Sequence, residues 1–217
     1  MHSVVWFSLL LPLSLIGSNV DLAGKANPEV LYKQNCEICH GMDRLGSVGP
    51  ALLPENLKRL RKKSAIKTIQ NGRPATQMPA FSEKLKTDQI QALVDYIYTP
   101  LKEIPVWGAK EIKASHVVHH KPGSLGDKPV FKADPLNLFI VVELGDHHAT
   151  VLDGDKLEPI HRFKTLFALH GGPKYSPDGR YVYFASRDGW ISKYDIYNLK
   201  TVAEIRAGIN TRNAAVS

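Results

Sequence analysis

Cysteine is nearly absent: the 217-residue chain has 2, both inside the segment Cys36-Glu37-Ile38-Cys39-His40. No thiol remains for a structural disulfide, and none remains for a zinc site built from two cysteine pairs. Long apolar runs are equally scarce. Outside the stretch from Val4 to Ile16 nothing approaches the ~20 apolar residues that a membrane-spanning helix needs, and that stretch is itself too short. Low-complexity tracts and collagen-like periodicity are missing too, and the apolar share of 43% is that of an ordinary globular protein. Acidic charge is in deficit, 21 Asp and Glu against 28 Lys and Arg, for a net charge of +7. Much of the surplus sits in Lys58-Arg59-Leu60-Arg61-Lys62-Lys63. That run reads as a solvated helix face or a docking patch for an acidic redox partner, in preference to a nucleic-acid surface.

What is present is more specific. Two thiols three positions apart can reach the two vinyl-derived carbons on one side of a porphyrin. The next residue, His40, then presents its imidazole to the iron. Cys-x-x-Cys-His is the signature of c-type haem attachment; the thioethers fix the cofactor irreversibly and the axial ligands tune its potential. A thioredoxin-like dithiol would need a βαβ setting, and half a zinc site would need a second ligand pair; neither is visible around the motif. The motif therefore predicts one covalent haem c, held by Cys36 and Cys39 with His40 on the iron, in an electron-transfer protein. For the other axial position Met1 lies in the leader and Met42 is too close to His40, which leaves Met78 in Gln77-Met78-Pro79. His116, His119 and His120 are the alternative ligands. Pro50, in Val48-Gly49-Pro50, is expected to offer its carbonyl to the His40 ring N–H and fix the ring's orientation.

Residues 1–24 read as a secretory signal peptide, an apolar core followed by Gly17-Ser18-Asn19. A buried N-terminal helix is the alternative, because the first residues carry no Lys or Arg and no A-x-A cleavage pattern. Export agrees with the haem motif, since c-type attachment is completed outside the cytoplasm in bacteria; a periplasmic protein without a stable membrane span is expected. Residues 25–101 are predicted as a helical domain. Asn27-Pro28 opens its first helix, Asn71-Gly72 stops another, and Ile90, Leu93, Val94 and Ile97 share one face of a third. Residues 102–127, with Pro105, Pro122, Gly123 and Gly126, read as a linker. Residues 128–217 are β: strands rich in Val, Ile, Phe and Tyr alternate with turns at Gly145-Asp146, Asp153-Gly154, Asp178-Gly179 and Asp188-Gly189. The segment ending in Asp153 repeats in the segment ending in Asp195, at a spacing within the ~40–45-residue period of propeller blades. Propellers close with about four to eight blades. Two blades cannot bury their flanks, so the chain reads as the N-terminal piece of a longer protein, truncated at Ser217. The fold class expected is α + β, an all-α cytochrome c domain followed by an incomplete β-propeller.

These residues carry a family resemblance. With Tyr32, Gly49-Pro50, Met78-Pro79 and a C-terminal packing helix, residues 28 to 100 resemble a class I cytochrome c. Residues 145–154, Ala168-Leu169-His170 and Ser186-Arg187-Asp188-Gly189 are similar to proteins that join such a domain to an eight-bladed propeller binding haem d1. Residues 51–57, 75–81 and 145–148 are more similar to the branch that oxidises dihydro-haem d1 at the end of haem d1 synthesis than to the nitrite reductases. The resemblance implies that His170 ligates the d1 iron, where the residues alone favour a hydrogen-bonded loop histidine. It further implies that Arg187 and Arg212 face the d1 carboxylates, where the residues alone suggest solvated turn arginines. His147 and His148 are expected to alternate across a strand, so that at most one faces the pocket. Acid–base residues of the family come from later blades, which this chain does not contain. The expected function is thus that of a periplasmic haem c electron-transfer protein, the N-terminal part of a dihydro-haem d1 dehydrogenase. In the longer protein haem d1 or dihydro-haem d1 joins haem c as cofactor, and periplasmic cytochromes or cupredoxins are the redox partners, with no nucleic acid. A nitrite reductase fragment and a plain electron-transfer cytochrome with a β appendage are the alternatives.

Overall fold

A computed structural model describes residues 26–103, 105–211 and 213–217; the expected signal peptide and Arg212 lie outside the described residues. Helix α1 (Pro28–Asn35) begins where Asn27, in extended conformation, accepts the N–H groups of Glu29 and Val30 with its side chain. Pro28 takes the first helical position, where no N–H is needed. Helix α2 (Glu37–His40) follows at once, then a single 3₁₀ turn (Met42–Arg44), α3 (Pro54–Leu57) and α4 (Lys62–Asn71). Gly72 ends α4 at φ +67°, and a Cβ there would fall 2.6 Å from the Met78 carbonyl oxygen. Helix α5 (Thr87–Ile97) starts one residue after Lys86, whose N–H donates to the Gln89 side chain at 2.9 Å. Its apolar stripe of Ile90, Leu93, Val94 and Ile97 is buried. Leu31, Tyr32, Leu57 and Leu85 meet Ile90, Leu93 and Ile97 from that stripe in one core, which the ~25 cal/mol per Å² of apolar burial makes the main support of this half.

Within 102–127, expected as a linker, lie a short helix α6 (Ala109–Ala114) and a two-residue strand β1 (Val117–Val118). The Pro and Gly residues that suggested a linker flank these elements. The β half forms two antiparallel sheets. β2 (Leu138–Glu143), β3 (His148–Asp153) and β4 (Pro159–Lys164) make one, in that order. The other contains β5 (Lys174–Tyr175), β6 (Tyr181–Ala185), β7 (Trp190–Asp195) and β8 (Lys200–Arg206), with β1 added outside β8. Ala149, Val151, Val182, Phe184, Tyr194 and Ile196 form the core between the sheets, and the Phe163 and Tyr194 rings stack 4.0 Å apart.

The internal repeat is physical. Asp153 and Asp195 end the equivalent strands β3 and β7; Asp153 accepts the N–H groups of Asp155 and Lys156 in the following turn, and Asp195 accepts that of Asn198. The register shift between Val151 and Leu152 recurs between Lys193 and Tyr194, two residues before the repeated aspartate in both sheets. Such a bulge twists a strand locally, so the two sheets share the same deformation as well as the same order.

Candidate functional site

The thiol pair sits at a joint. The Cys36 N–H donates to the Tyr32 carbonyl at 2.8 Å, closing α1, and the His40 N–H returns to the Cys36 carbonyl at 2.8 Å. One helical turn thus carries Cys36, Cys39 and His40 to adjoining positions. Both cysteines are free and half-buried. Burial, helped by the neighbouring Cys39, pushes the Cys36 thiol up to about 11, the reverse of the lowered value in a redox-active dithiol. His40 Nδ1 lies 2.8 Å from the Pro50 carbonyl oxygen. A carbonyl can only accept, so the proton sits on Nδ1 and Nε2 keeps its lone pair. Burial lowers the imidazole pKa, against the Pro50 hydrogen bond that raises it, and a neutral ring is the ligating form. Gly49 closes on this ring: a Cβ there would stand 2.8 Å from His40 Cε1. Two thiols and an imidazole with its outer nitrogen free, all on one turn, are the donor set of a covalently held haem. The residues fit the group.

Met78 is half-buried on the loop joining α4 to α5. Its N–H donates to Thr76 Oγ1 at 3.2 Å and its carbonyl accepts from the Arg73 N–H at 3.1 Å, while Phe81 returns the loop to the Ile69 carbonyl of α4 at 3.0 Å. The alternative ligands lie on the segment that runs from the end of α6 past β1. His119 and His120 both donate their N–H to the Val202 carbonyl of β8, and His119 Nε2 lies 2.9 Å from Glu204 Oε2. They belong to the outer edge of the five-stranded sheet. His116, between α6 and β1, donates its N–H to the Lys113 carbonyl.

A second group of residues gathers at one end of the sheets. Antiparallel order makes β2 and β4 run to the same end of one sheet, and β6 and β8 to the same end of the other. A bridge between Leu169 and Ser186 ties the loop after β4 to the turn after β6. The His170 N–H donates to the Ala185 carbonyl at 2.8 Å and the Arg187 N–H to the Ala168 carbonyl at 3.0 Å, so His170 and Arg187 share one rim. Thr211 joins them through its hydroxyl, which donates to the Ser186 carbonyl at 2.6 Å. His147 reaches the end of the first sheet from the turn before β3, at φ +61°. It therefore does not alternate with His148 across a strand as expected. Its ring meets Phe167 edge-on at 5.5 Å, and neither ring nitrogen has a hydrogen-bond partner among the described residues. His148 instead turns Nδ1 to the Asp146 carbonyl, 2.9 Å away.

The helical half meets this same rim. Arg206, the last residue of β8, donates from Nη2 to the Leu45 carbonyl at 2.6 Å and from Nε to the Asp188 carbonyl at 2.8 Å. Asp188 is buried, with its carboxylate bonded by the Ser186 hydroxyl. Burial pushes this carboxyl above the usual carboxylate range, the Ser186 hydrogen bond opposing it. The sequence marks Asp188 as a turn residue, but nothing local in it marks the contact of Asp188 and Arg206 with the helical half.

Two family models match. Residues 23–97 match the one described as cytochrome c oxidase, cbb3-type, subunit III, and residues 133–217 match the cytochrome D1 heme domain. The chain is 56% identical to the dihydro-heme d1 dehydrogenase of Pseudomonas aeruginosa across 95% of its own length and 42% of that protein's. A nitrite reductase of Stutzerimonas stutzeri is 26% identical over 96% of the chain and 41% of its own length. A solved structure, dihydro-heme d1 dehydrogenase NirN in complex with DHE, is 58% identical with a TM-score of 0.78, over 88% of this chain and 41% of that one. The chain thus spans about two fifths of the relatives that it matches along its length.

Proposed function

We propose, from a chain that is a close homologue of dihydro-haem d1 dehydrogenase over nearly all of its length, that it is the electron-accepting part of an enzyme oxidising dihydro-haem d1. The chain carries a cytochrome c domain, which binds haem c, and a portion of a d1-type propeller. Cys36 and Cys39 would hold the haem as thioethers, and His40 Nε2 and Met78 would be the ligands of its iron. Pro50 fixes the plane of the His40 ring. When bound, haem c supplies one-electron transfer. At the rim of the sheets His170 would receive the iron of the tetrapyrrole substrate and Arg187 would face its carboxylates, for which a guanidinium fork is suited; Arg212, outside the described residues, is assigned the same role by the resemblance alone. Oxidation of the substrate releases two electrons and two protons; haem c, when bound, would take the electrons one at a time for an external acceptor, and the protons would pass to solvent. The exposed Lys58, Arg59, Arg61 and Lys63 offer a cationic surface to an acidic periplasmic cytochrome or cupredoxin.

The observation that carries this reading is the single 56% match that spans both the haem c motif and the His170–Arg187 rim. The weaker likeness to a nitrite reductase, at 26%, is why electrons are drawn toward haem c and not away from it. Protein matured with c-type attachment, made from the full coding region that contains this chain, tests the reading. Ferric haem c should be reduced anaerobically on mixing with dihydro-haem d1, with two equivalents of haem c reduced per substrate. Replacing Cys36 and Cys39 with Ala should leave a protein that loses its haem on a denaturing gel. Rapid oxidation of ferrous haem c by nitrite, with no reaction toward dihydro-haem d1, would overturn the assignment in favour of the reductase.

A further inference from the structure

Three distant parts of the chain converge on Arg206. Its guanidinium lies over the Trp107 ring, 4.8 Å from the centroid. Its two forked donors go to different halves of the molecule, Nη2 to the Leu45 carbonyl at 2.6 Å and Nε to the Asp188 carbonyl at 2.8 Å. Its own carbonyl accepts from Trp107 Nε1 at 2.9 Å, and its N–H donates to Ser115 Oγ at 2.9 Å. All these hydrogen-bond acceptors are neutral; the Asp188 carboxylate acts on the guanidinium only through space. Such a charge is held by geometry more than by an ion pair, and a planar fork spanning two carbonyls is something a lysine ammonium cannot reproduce.

What Arg206 grips matters more than how firmly. Leu45 opens the strap that backs His40. The Gly46 N–H donates to the His40 carbonyl at 2.8 Å and the Gly49 N–H to the Cys39 carbonyl at 2.6 Å. Gly46, at φ +87°, has no room for a side chain, because a Cβ would stand 2.9 Å from the Ala51 nitrogen and 3.3 Å from Asp188 Cβ. The strap then ends at Pro50, the acceptor for His40 Nδ1. Residues 45–50 are therefore fastened to His40 on one side and to the Ser186–Gly189 turn on the other.

We propose that Arg206 is a positioning residue for electron transfer: it fixes the strap behind His40 to the rim carrying His170 and Arg187, and so sets the placement of haem c against that rim. The inference rests on His40 as haem ligand, and it adds a second effect that a purely structural contact would lack. The guanidinium is a cation close to the strap, and a nearby positive charge favours the ferrous haem, which carries one positive charge fewer than the ferric form. Arg206 thus contributes both placement and potential.

The two contributions separate by substitution in the haem-loaded chain. Arg206→Met removes fork and charge, whereas Arg206→Lys keeps the charge and loses the fork. NMR relaxation reports whether the helical and β halves tumble together, hydrogen exchange reports the Gly46 amide, and redox titration reports haem c. In wild type the halves should tumble as one. Both variants should uncouple them and speed Gly46 exchange at least tenfold, while the haem c potential falls in Arg206→Met and is largely kept in Arg206→Lys. Should Arg206→Met not fold, Trp107→Leu, which removes the stacking ring and one donor, should uncouple the halves in the same way. Normal haem c in all variants with joint tumbling, slow Gly46 exchange and an unchanged potential would overturn the proposal. A colourless wild type would count against the haem c reading itself, which keeps the two failures distinct.

Discussion

His40 keeps Nε2 free because Pro50 occupies Nδ1, and the role proposed for Met78 follows from the same iron. A thioether is a soft ligand that favours ferrous haem. Met78→Ala should remove the weak red absorbance of a sulfur–iron bond in the ferric spectrum and lower the potential by on the order of 0.1 V, a modest part of the ~0.8 V that axial ligands span. Bis-histidine magnetic resonance signals in wild type would instead point to His116, His119 or His120. Asp188 gives a test by pH. Its carboxyl is raised by burial, so the folded state holds the proton more tightly than the unfolded chain. Its contribution to stability is then greatest below the ordinary carboxylate value and is lost as pH rises through the raised one. Asp188→Asn, which keeps an acceptor for Ser186, should raise the unfolding midpoint at pH 7, leave it nearly unchanged at pH 3 and flatten the slope between. Equal midpoints at pH 7 would show that the buried carboxylate costs nothing. Cys36, Cys39 and His40 are legible in sequence because attachment chemistry depends on local spacing. Asp188 is legible as a turn residue, but its role and that of Arg206 are not, because they depend on Leu45 and Gly46, which are remote in the chain.

Elements were legible to the extent that their periodicity was long. Helix α5 shows its four buried positions in the sequence, and the hairpin strands β2, β3, β6 and β7 stand between turns of Asp or Gly. The two-residue strand β1 is not legible: Val117-Val118 is too short to carry a pattern and is held in place by β8. The bulge shared by β3 and β7 was equally hidden, since it is a property of pairing and not of composition. One turn residue links the elements to the rim. Gly189 adopts φ +94°, and a Cβ there would stand 1.7 Å from the Gly208 carbonyl oxygen. Gly189→Ala should therefore cost on the order of 2 kcal/mol or more through strained backbone alone, with the collision added. Chemical denaturation followed by β-sheet circular dichroism should show the loss, while the haem c spectrum stays as in wild type. An unaffected transition would mean that the rim loops shift easily.

On the scale of the whole molecule the helical half and the β half each have a core of their own, joined by a segment whose Lys102 and Glu103 are exposed. Limited proteolysis of haem-loaded protein should release a stable haem-bearing fragment ending near Lys102 or Glu103, exposed residues that precede the Trp107 anchor. Mass spectrometry identifies the end; a first cut inside α6 or β1 would show that the Trp107 and Ser115 contacts to Arg206 do not hold. The pairing of β1 with β8 also bears on how the protein is made. Val117 faces Glu204, so the edge strand leaves the ribosome long before its partner exists. Closing so long a loop is slow compared with forming local helices. Cys36, Cys39 and His40 consequently sit in a segment able to fold early, while β1 must wait for β8 before it can pair. The helical half can thus form its own core before β1 closes the long loop to β8.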